Sequence, residues 1–150
     1  MRVLVDADSC PVVIKEILYR AAERLRIPLV LVANQYLSVP VSVHISCIEV
    51  PAGPDIADDR IVEMVEADDL VISADLPLAD RVIAKGGFVL NPRGDLYTAE
   101  NIKDRLATRD LMDLLRQSGM DTGGPSSFSQ KDRQAFANQL DRYLVKHGHG

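Results

Sequence analysis

The sequence predicts a three-layer α/β fold with a mostly parallel sheet of about five strands, followed by a helical C-terminal extension. Short apolar runs alternate with longer segments in which apolar residues recur at helical spacing. Proline or glycine stands at most of the junctions between them. The resulting order, β-α-β-β-α-β-α-β, is typical of a parallel sheet covered by helices on both faces.

Each predicted element follows from where its pattern begins and ends. Asp6 ends the first apolar run abruptly, which indicates a buried strand. Pro11 suits the first turn of a helix, and Pro28 stops that helix. In chain order we predict a strand over 2–5, a helix over 11–25, strands over 29–33 and 43–50, a helix over 56–65, a strand over 70–73, a helix over 77–85 and a strand over 88–90.

The last third of the chain is predicted to be helical. Thr98 can cap one helix, residues 123–125 (Gly-Gly-Pro) indicate a loop, and the capping-box pattern over 129–132 predicts a second helix. No repeat or low-complexity linker divides the chain. We therefore predict a single domain over 1–150, made of an α/β core (1–95) and a helical extension (96–147).

Composition excludes several classes of protein. The chain is 47% hydrophobic and 26% charged, with a mean hydropathy of 0.00. Its longest uncharged apolar run, 27–33, is far shorter than the roughly 20 residues of a membrane span, and Asp6 comes too early for a signal peptide. Cys10 and Cys47 are too far apart in sequence for a zinc knuckle or a redox pair. These features predict a cytoplasmic protein with reduced thiols.

Charge is distributed unequally between the two halves of the chain. Residues 1–80 carry 6 Lys and Arg against 14 Asp and Glu, whereas residues 81–150 carry 11 against 8, for a total of −5. An acidic chain is a poor candidate for tight, sequence-blind nucleic-acid binding, which requires Lys and Arg to neutralise phosphates. The asymmetry does permit a carboxylate cluster that binds cations beside a basic surface that guides a phosphate-bearing substrate.

Carboxylates lie where two predicted strands end. Asp6 and Asp8 follow the first strand, and Asp75 follows the strand over 70–73. The carboxyl ends of parallel strands form the usual ligand crevice of such sheets, so these residues should meet there. Asp55 and Asp58 share one face of the preceding helix. Clustered carboxylates favour a hard divalent cation, Mg²⁺ or Mn²⁺, which could assist phosphodiester hydrolysis.

Structural roles compete with this hypothesis. Asp75 can be a plain N-cap for the helix that begins near Pro77. We favour structural roles, as helix caps or surface charges, for Asp55, Asp59 and Asp80. For Asp6 capping is a poor explanation, because a charge there ends an apolar strand.

A phosphatase is a second possibility. The apolar strand followed by Asp6-Ala7-Asp8 resembles the first motif of haloacid-dehalogenase-type phosphatases, in which the first Asp is the nucleophile. Ser73 resembles their second motif. Those enzymes place an acidic pair on a later strand, whereas here Asp58 and Asp59 precede Ser73. This interpretation is therefore the weaker one.

Several sequence blocks resemble the YaiI/YqxD family of bacterial proteins along nearly the whole chain. The blocks are VDADSCPV (5–12), GPDIAD (53–58), SADLPLA (73–79), NPRG (91–94), RDLM (109–112), LR (115–116), GGP (123–125) and DR (132–133). The family is similar to PIN-like ribonuclease domains, which hold Mg²⁺ or Mn²⁺ through Asp residues. The resemblance implies that Asp6, Asp58 and Asp75 are catalytic metal ligands and that Asp8 is an additional ligand. Asp55 or Asp59 could take the role of Asp58, and Asp80 is a further candidate ligand. RNA or another phosphodiester would be the substrate.

Basic and aromatic residues give weaker indications. We predict that three basic residues bind substrate phosphates. They are Arg93, which lies in a loop, and Arg81 and Lys85, which lie one helical turn apart. We expect Arg109, Arg116 and Arg133 to pair with neighbouring carboxylates such as Asp110, Asp113 and Asp132. Tyr36 and Tyr97, in predicted loops, are the plausible platforms for base stacking. The scarcity of aromatic residues weakens the hypothesis of an RNA substrate. The acidic, weakly basic surface is also compatible with a different class of function, a non-enzymatic RNA- or protein-binding module.

Overall fold

The fold is described by a computed structural model of residues 1–119 and 128–147, so the predicted loop at 123–125 lies outside the described residues. The strands are β1 (Val3–Asp6), β2 (Leu29–Ala33), β3 (Ile45–Glu49), β4 (Leu70–Ile72), β5 (Phe88–Leu90) and β6 (Leu96–Tyr97). The helices are α1 (Val12–Leu25), α2 (Ile56–Met64), α3 (Leu76–Ala84), α4 (Ile102–Gln117) and α5 (Gln130–His147), and a single 3₁₀ turn covers Ala7–Ser9. The predicted three-layer α/β class is confirmed.

The six strands form one sheet in the order β3-β2-β1-β4-β5-β6. The first five are parallel, and β6 is antiparallel to β5, with Val89 opposite Tyr97. Sequence analysis did not predict β6. Two residues are too few to show a strand pattern, and β6 forms because a tight turn, in which Gly94 N–H donates to Asn91 O at 2.9 Å, folds the chain back along β5.

Alternation along the buried strands divides the core between the two faces of the sheet. Val3 and Val5 face α1 and α5, whereas Leu4 faces α2, α3 and α4. On the second face Leu4 and Val71 pack with Ile61 of α2 and with Val82 of α3. Because side chains alternate, Asp6 follows Leu4 toward the layer of α2 and α3.

The C-terminal helix is part of the main core. Phe136, Leu140 and Leu144 of α5 are almost completely buried with Ile14 of α1 beneath the sheet. Tyr143 Oη donates a hydrogen bond of 2.8 Å to Asp68 O, which ties α5 to the turn before β4. The capping box predicted for this helix is confirmed, since Ser129 N–H donates to Asp132 Oδ2 and Asp132 N–H donates to Ser129 Oγ.

Two local predictions are wrong. β3 begins at Ile45, and Val43 is exposed, because the ladder with β2 starts where Leu29 meets Ile45. Tyr97 is 4% exposed within β6, where it receives a hydrogen bond from Asn91 Nδ2, so its ring is no platform for bases. Among the residues described, no helix is both long and apolar enough to cross a membrane.

The close approach of α5 to the β5–β6 turn gives a stability prediction. Gly94 has φ +99°, and a Cβ there would lie 2.8 Å from Ala135 C and Cβ. We expect Gly94→Ala to lower the free energy of unfolding by about 2–4 kcal/mol, because it combines backbone strain with a backbone clash. Denaturant unfolding of the full chain measures this change.

Gly119→Ala is the matched control for this substitution. Gly119 also has a positive φ, +86°, but no atom of residues 1–119 or 128–147 lies within 4 Å of the added Cβ. Its cost should be the strain alone, about 1 kcal/mol. Equal losses in the two variants would contradict the close packing of α5 on this turn.

Candidate functional site

The candidate site lies where the order of the sheet reverses. The chain lays β2 and β3 on one side of β1 and then crosses to place β4 and β5 on the other side. The carboxyl ends of β1 and β4 therefore flank a crevice, which is where open α/β sheets bind ligands. Asp6 is the last residue of β1, and Asp75 follows β4 by three residues.

Two serine hydroxyls hold the Asp6 carboxylate in place. Ser73 Oγ and Ser9 Oγ each donate a hydrogen bond of 3.1 Å to Asp6 Oδ2. Burial nevertheless raises the pKa of Asp6; the two serine hydrogen bonds lower it, and the charges of Asp75 and Asp8 raise it further. This carboxylate thus lies in a site where negative charge is poorly compensated.

Asp75 is connected to Asp6 through Ser73. The Asp75 N–H donates to Ser73 Oγ at 3.0 Å, and Ser73 itself is 2% exposed. Asp75 is also the N-cap of α3, since its Oδ1 accepts the Leu78 N–H at 2.9 Å. The structural role considered for Asp75 is therefore confirmed, and its cap hydrogen bond fixes the carboxylate at the crevice.

The first turn of α2 brings two more carboxylates to the site. Asp55 is the N-cap residue, with a left-handed φ of 63°, but its side chain makes no capping hydrogen bond. The cap predicted for the Asp55 side chain is wrong because that carboxylate lines the cleft instead. Burial raises the pKa of Asp58 to about 6, and the charges of Asp75, Asp6 and Asp55 add to the increase more than Arg81 reduces it.

These carboxylates border an open cleft of about 490 Å³. Asp55, Asp58 and Asp75 line it together with Arg81 of α3 and Arg109 of α4. The two arginines are joined to exposed carboxylates outside the cleft, Arg81 to Asp59 at 2.9 Å and Arg109 to Asp110 at 3.5 Å. Exposed ion pairs of this kind are weak, so both guanidinium groups can turn to an anionic ligand.

Arg109 is the cleft residue that sequence analysis missed. We expected it to pair with Asp110, and this pair is confirmed. The sequence gives no sign that Arg109 also lines the cleft, because α4 reaches the cleft through its packing on α3.

Asp8 lies beside this group at the end of β2. Its Oδ2 accepts the Asn34 N–H at 2.8 Å, so part of its role is to hold the chain that leaves β2. The Asn34 Oδ1 atom is buried without a hydrogen-bond partner among the described residues. Asp8 Oδ2 and Asn34 Oδ1 therefore lie at the carboxyl ends of the strands, as Asp6 does, since Asp6 is opposite Val32 near the end of β2.

The other cations predicted to bind substrate lie elsewhere. Lys85 is the C-cap residue of α3, about 15 Å along the helix from Asp75, and its Nζ donates a hydrogen bond to Val62 O. Arg81 lines the cleft, whereas Lys85, one helical turn further along α3, is not among the residues that line it. Arg93 pairs with Asp132 of α5 at 3.0 Å, which ties the β5–β6 turn to that helix.

The site offers oxygen atoms of the kind that bind a hard cation, but its carboxylates are not arranged as a complete set of ligands. Its oxygens are carboxylates, which suit Mg²⁺ or Mn²⁺. Within 1–119 and 128–147, no group of three or more His, Cys, Asp or Glu side chains is placed so as to hold a metal ion. In the same residues no hydrogen bond engages Asp6 Oδ1, Asp75 Oδ2 or the Asp58 carboxylate. A cation that keeps several waters fits this arrangement, since Mg²⁺ needs only one or two carboxylates.

Comparisons with known proteins agree with the resemblance seen in the sequence. A family model described as the uncharacterised YaiI/YqxD family matches residues 4–146. Relatives named UPF0178 protein include those of Burkholderia lata, 59% identical over 148 residues (99% of each chain), and Shewanella amazonensis, 60% identical over 146 residues (97% of this chain and 98% of the relative). No solved structure matches the chain. The chain therefore belongs to the YaiI/YqxD family.

Proposed function

We propose that this protein is a phosphodiesterase that depends on Mg²⁺ or Mn²⁺, acts on RNA or another phosphodiester, and works in the cytoplasm. The observation that supports this proposal best is the raised pKa of Asp58, about 6, in a cleft that it shares with Asp55 and Asp75 and close to the charge of Asp6. Such a concentration of negative charge is relieved by a bound cation. Perturbed carboxylates in a cleft are also a common feature of active sites.

The cation would be held by the open oxygens of Asp6, Asp58 and Asp75. Asp8 would add negative charge at the edge of the site, since one of its oxygens already binds Asn34 N–H. When bound, the cation supplies positive charge that polarises a phosphoryl oxygen and acidifies water. Ser73 and Ser9 keep the Asp6 carboxylate oriented, and Asp58 can hold a proton near neutral pH.

Arg81 and Arg109 would bind the phosphate of the substrate. Both line the cleft beside the carboxylates, and a guanidinium can bind two phosphate oxygens at once. Their weak ion pairs with Asp59 and Asp110 leave them available for this contact. The alternative is a binding module without catalysis, which would use the same arginines but would not need the carboxylates.

Cation binding is the first prediction of this proposal. Titration calorimetry of Mn²⁺ into the metal-stripped full chain should show saturable binding, and Asp6→Asn or Asp75→Asn should weaken it at least about tenfold because each removes a ligand charge. Asparagine is the suitable replacement because it can still cap α3 and accept from Ser73. Asp80→Asn, which breaks an exposed pair between Asp80 of α3 and Lys103 of α4, is the control. Equal binding in all four proteins would overturn the cation site.

Arg109 provides a test of catalysis that is separate from cation binding. Arg109→Gln should slow Mn²⁺-dependent cleavage of single-stranded RNA by about 10–100-fold, since it removes a charged hydrogen bond to phosphate, while Mn²⁺ affinity stays unchanged. Arg116→Gln is the matched control because Arg116 lies two turns further along α4 and pairs with Asp113. Cleavage that survives in Arg109→Gln would exclude this arginine, and RNA binding without cleavage would favour the binding module.

Asp58 gives a pH-dependent stability prediction for the metal-free chain. Its pKa is raised from 3.8 to about 6 in the folded state, so the folded chain takes up this proton first as pH falls. Stability should therefore increase as pH falls from above 6 toward 4. At pH 7, Asp58→Asn should raise the free energy of unfolding by about 0.5 kcal/mol after allowance for solvent screening, and this gain should vanish near pH 4.

Denaturant unfolding in a chelating buffer measures this effect, with Asp80→Asn as the control. Asp80 pairs with Lys103 outside the cleft, so its replacement should bring no gain at pH 7. A gain in Asp58→Asn that is independent of pH would contradict the charge repulsion assigned to the cleft.

A further inference from the structure

A second cleft lies between α1 and α5. It is on the face of the sheet opposite the cleft lined by Asp55, Asp58 and Asp75, which we call the acidic cleft. Its volume is about 240 Å³. Ile17 and Leu140 contribute apolar surface, and the charged side chains that line it are Arg20, Arg24, Arg133 and Asp141. Three guanidinium groups therefore meet one carboxylate in a concave site of a chain whose net charge is −5.

The arginines of this cleft are weakly compensated. Arg24 pairs with Asp141 at 3.2 Å, but both side chains are 61% exposed, so this pair contributes little. Arg133 does not form the predicted pair with Asp132, because that carboxylate binds Arg93 instead. Among the residues described, neither Arg20 nor Arg133 takes part in an ion pair.

Helix α5 strengthens the attraction for an anion. It begins at Gln130, and both Gln130 and Arg133 of its first turn line the cleft. The first turn of this 18-residue helix therefore borders one end of the cleft, and its partial positive charge adds to that of the three arginines. The amide groups of Gln130 and Gln134 add neutral hydrogen-bond donors.

We propose that this cleft binds an anion made of linked phosphate groups, such as a free diphosphate or the diphosphate part of a nucleotide. Arg20, Arg24 and Arg133 would share its charge, and guanidinium groups match phosphate oxygens in pairs. A volume of about 240 Å³ suits a diphosphate, because it lies below the usual size of a site that encloses a whole cofactor. The site does not depend on the acidic cleft, whose residues lie in the other helical layer.

Calorimetric titration of inorganic pyrophosphate into the full chain, without divalent cations and at fixed ionic strength, tests the proposal. Arg133→Gln and Arg20→Gln should each weaken binding by about tenfold or more. Asp141→Asn should strengthen binding, because Asp141 is the carboxylate that lines the cleft in the part of the chain that the structure describes. Arg142→Gln is the matched control, since it removes the same charge from α5 at a position outside this cleft.

Asp6→Asn separates this site from the acidic cleft. This variant should leave pyrophosphate binding unchanged whether or not the protein cleaves RNA. A single-stranded RNA oligomer is the competing ligand. If the RNA binds through Arg20 and Arg133 while pyrophosphate does not, the cleft recognises a nucleic-acid backbone and the proposal is overturned. Undetectable pyrophosphate binding, or equal binding in Arg133→Gln and Arg142→Gln, also overturns it.

Discussion

The hydrogen bond from Ser73 to Asp6 joins the two central strands at the point where the sheet reverses its order. Ser73 Oγ donates to Asp6 Oδ2 and accepts the Asp75 N–H, so one buried hydroxyl connects the ends of β1 and β4 and the cap of α3. Because β1 is buried on both faces, the direction of the Asp6 side chain is fixed by alternation along the strand. The position of the acidic cleft follows from these two constraints.

Most of the fold was predictable from local pattern, and the exceptions have physical causes. The strand over 29–33 and the end of the first helix at Leu25 were predicted as observed, because proline and a continuous apolar run mark them. β6 was missed because it is a product of the turn at Gly94. The sequence also did not reveal that Phe136 completes the core under β1, since long-range packing leaves no local signal.

The carboxylate positions of the site were more predictable than its cations. Strand ends and the parallel sheet together predicted that Asp6 and Asp75 would meet, and their charges do interact. Arg109 reaches the cleft through packing of α4 on α3, which spacing along the chain cannot reveal. Lys85 shares a face of α3 with Arg81 but does not line the cleft, because helical spacing fixes the face of a helix without fixing which of its ends approaches the site.

A comparison of Asp69 with Asp6 indicates why the acidic cleft is more than a by-product of folding. Asp69, at the start of β4, is 3% exposed and fully matched: it accepts from the Arg2 and Glu66 N–H groups and pairs with the Arg2 guanidinium at 3.3 Å. Asp6, at the other end of the sheet, has serine hydroxyls and like charges as neighbours. The fold can therefore neutralise a buried Asp when structure requires it. The burial and charge repulsion of Asp6 and Asp58 lower the stability of the fold. Proteins keep such destabilising interactions at sites where a ligand relieves them.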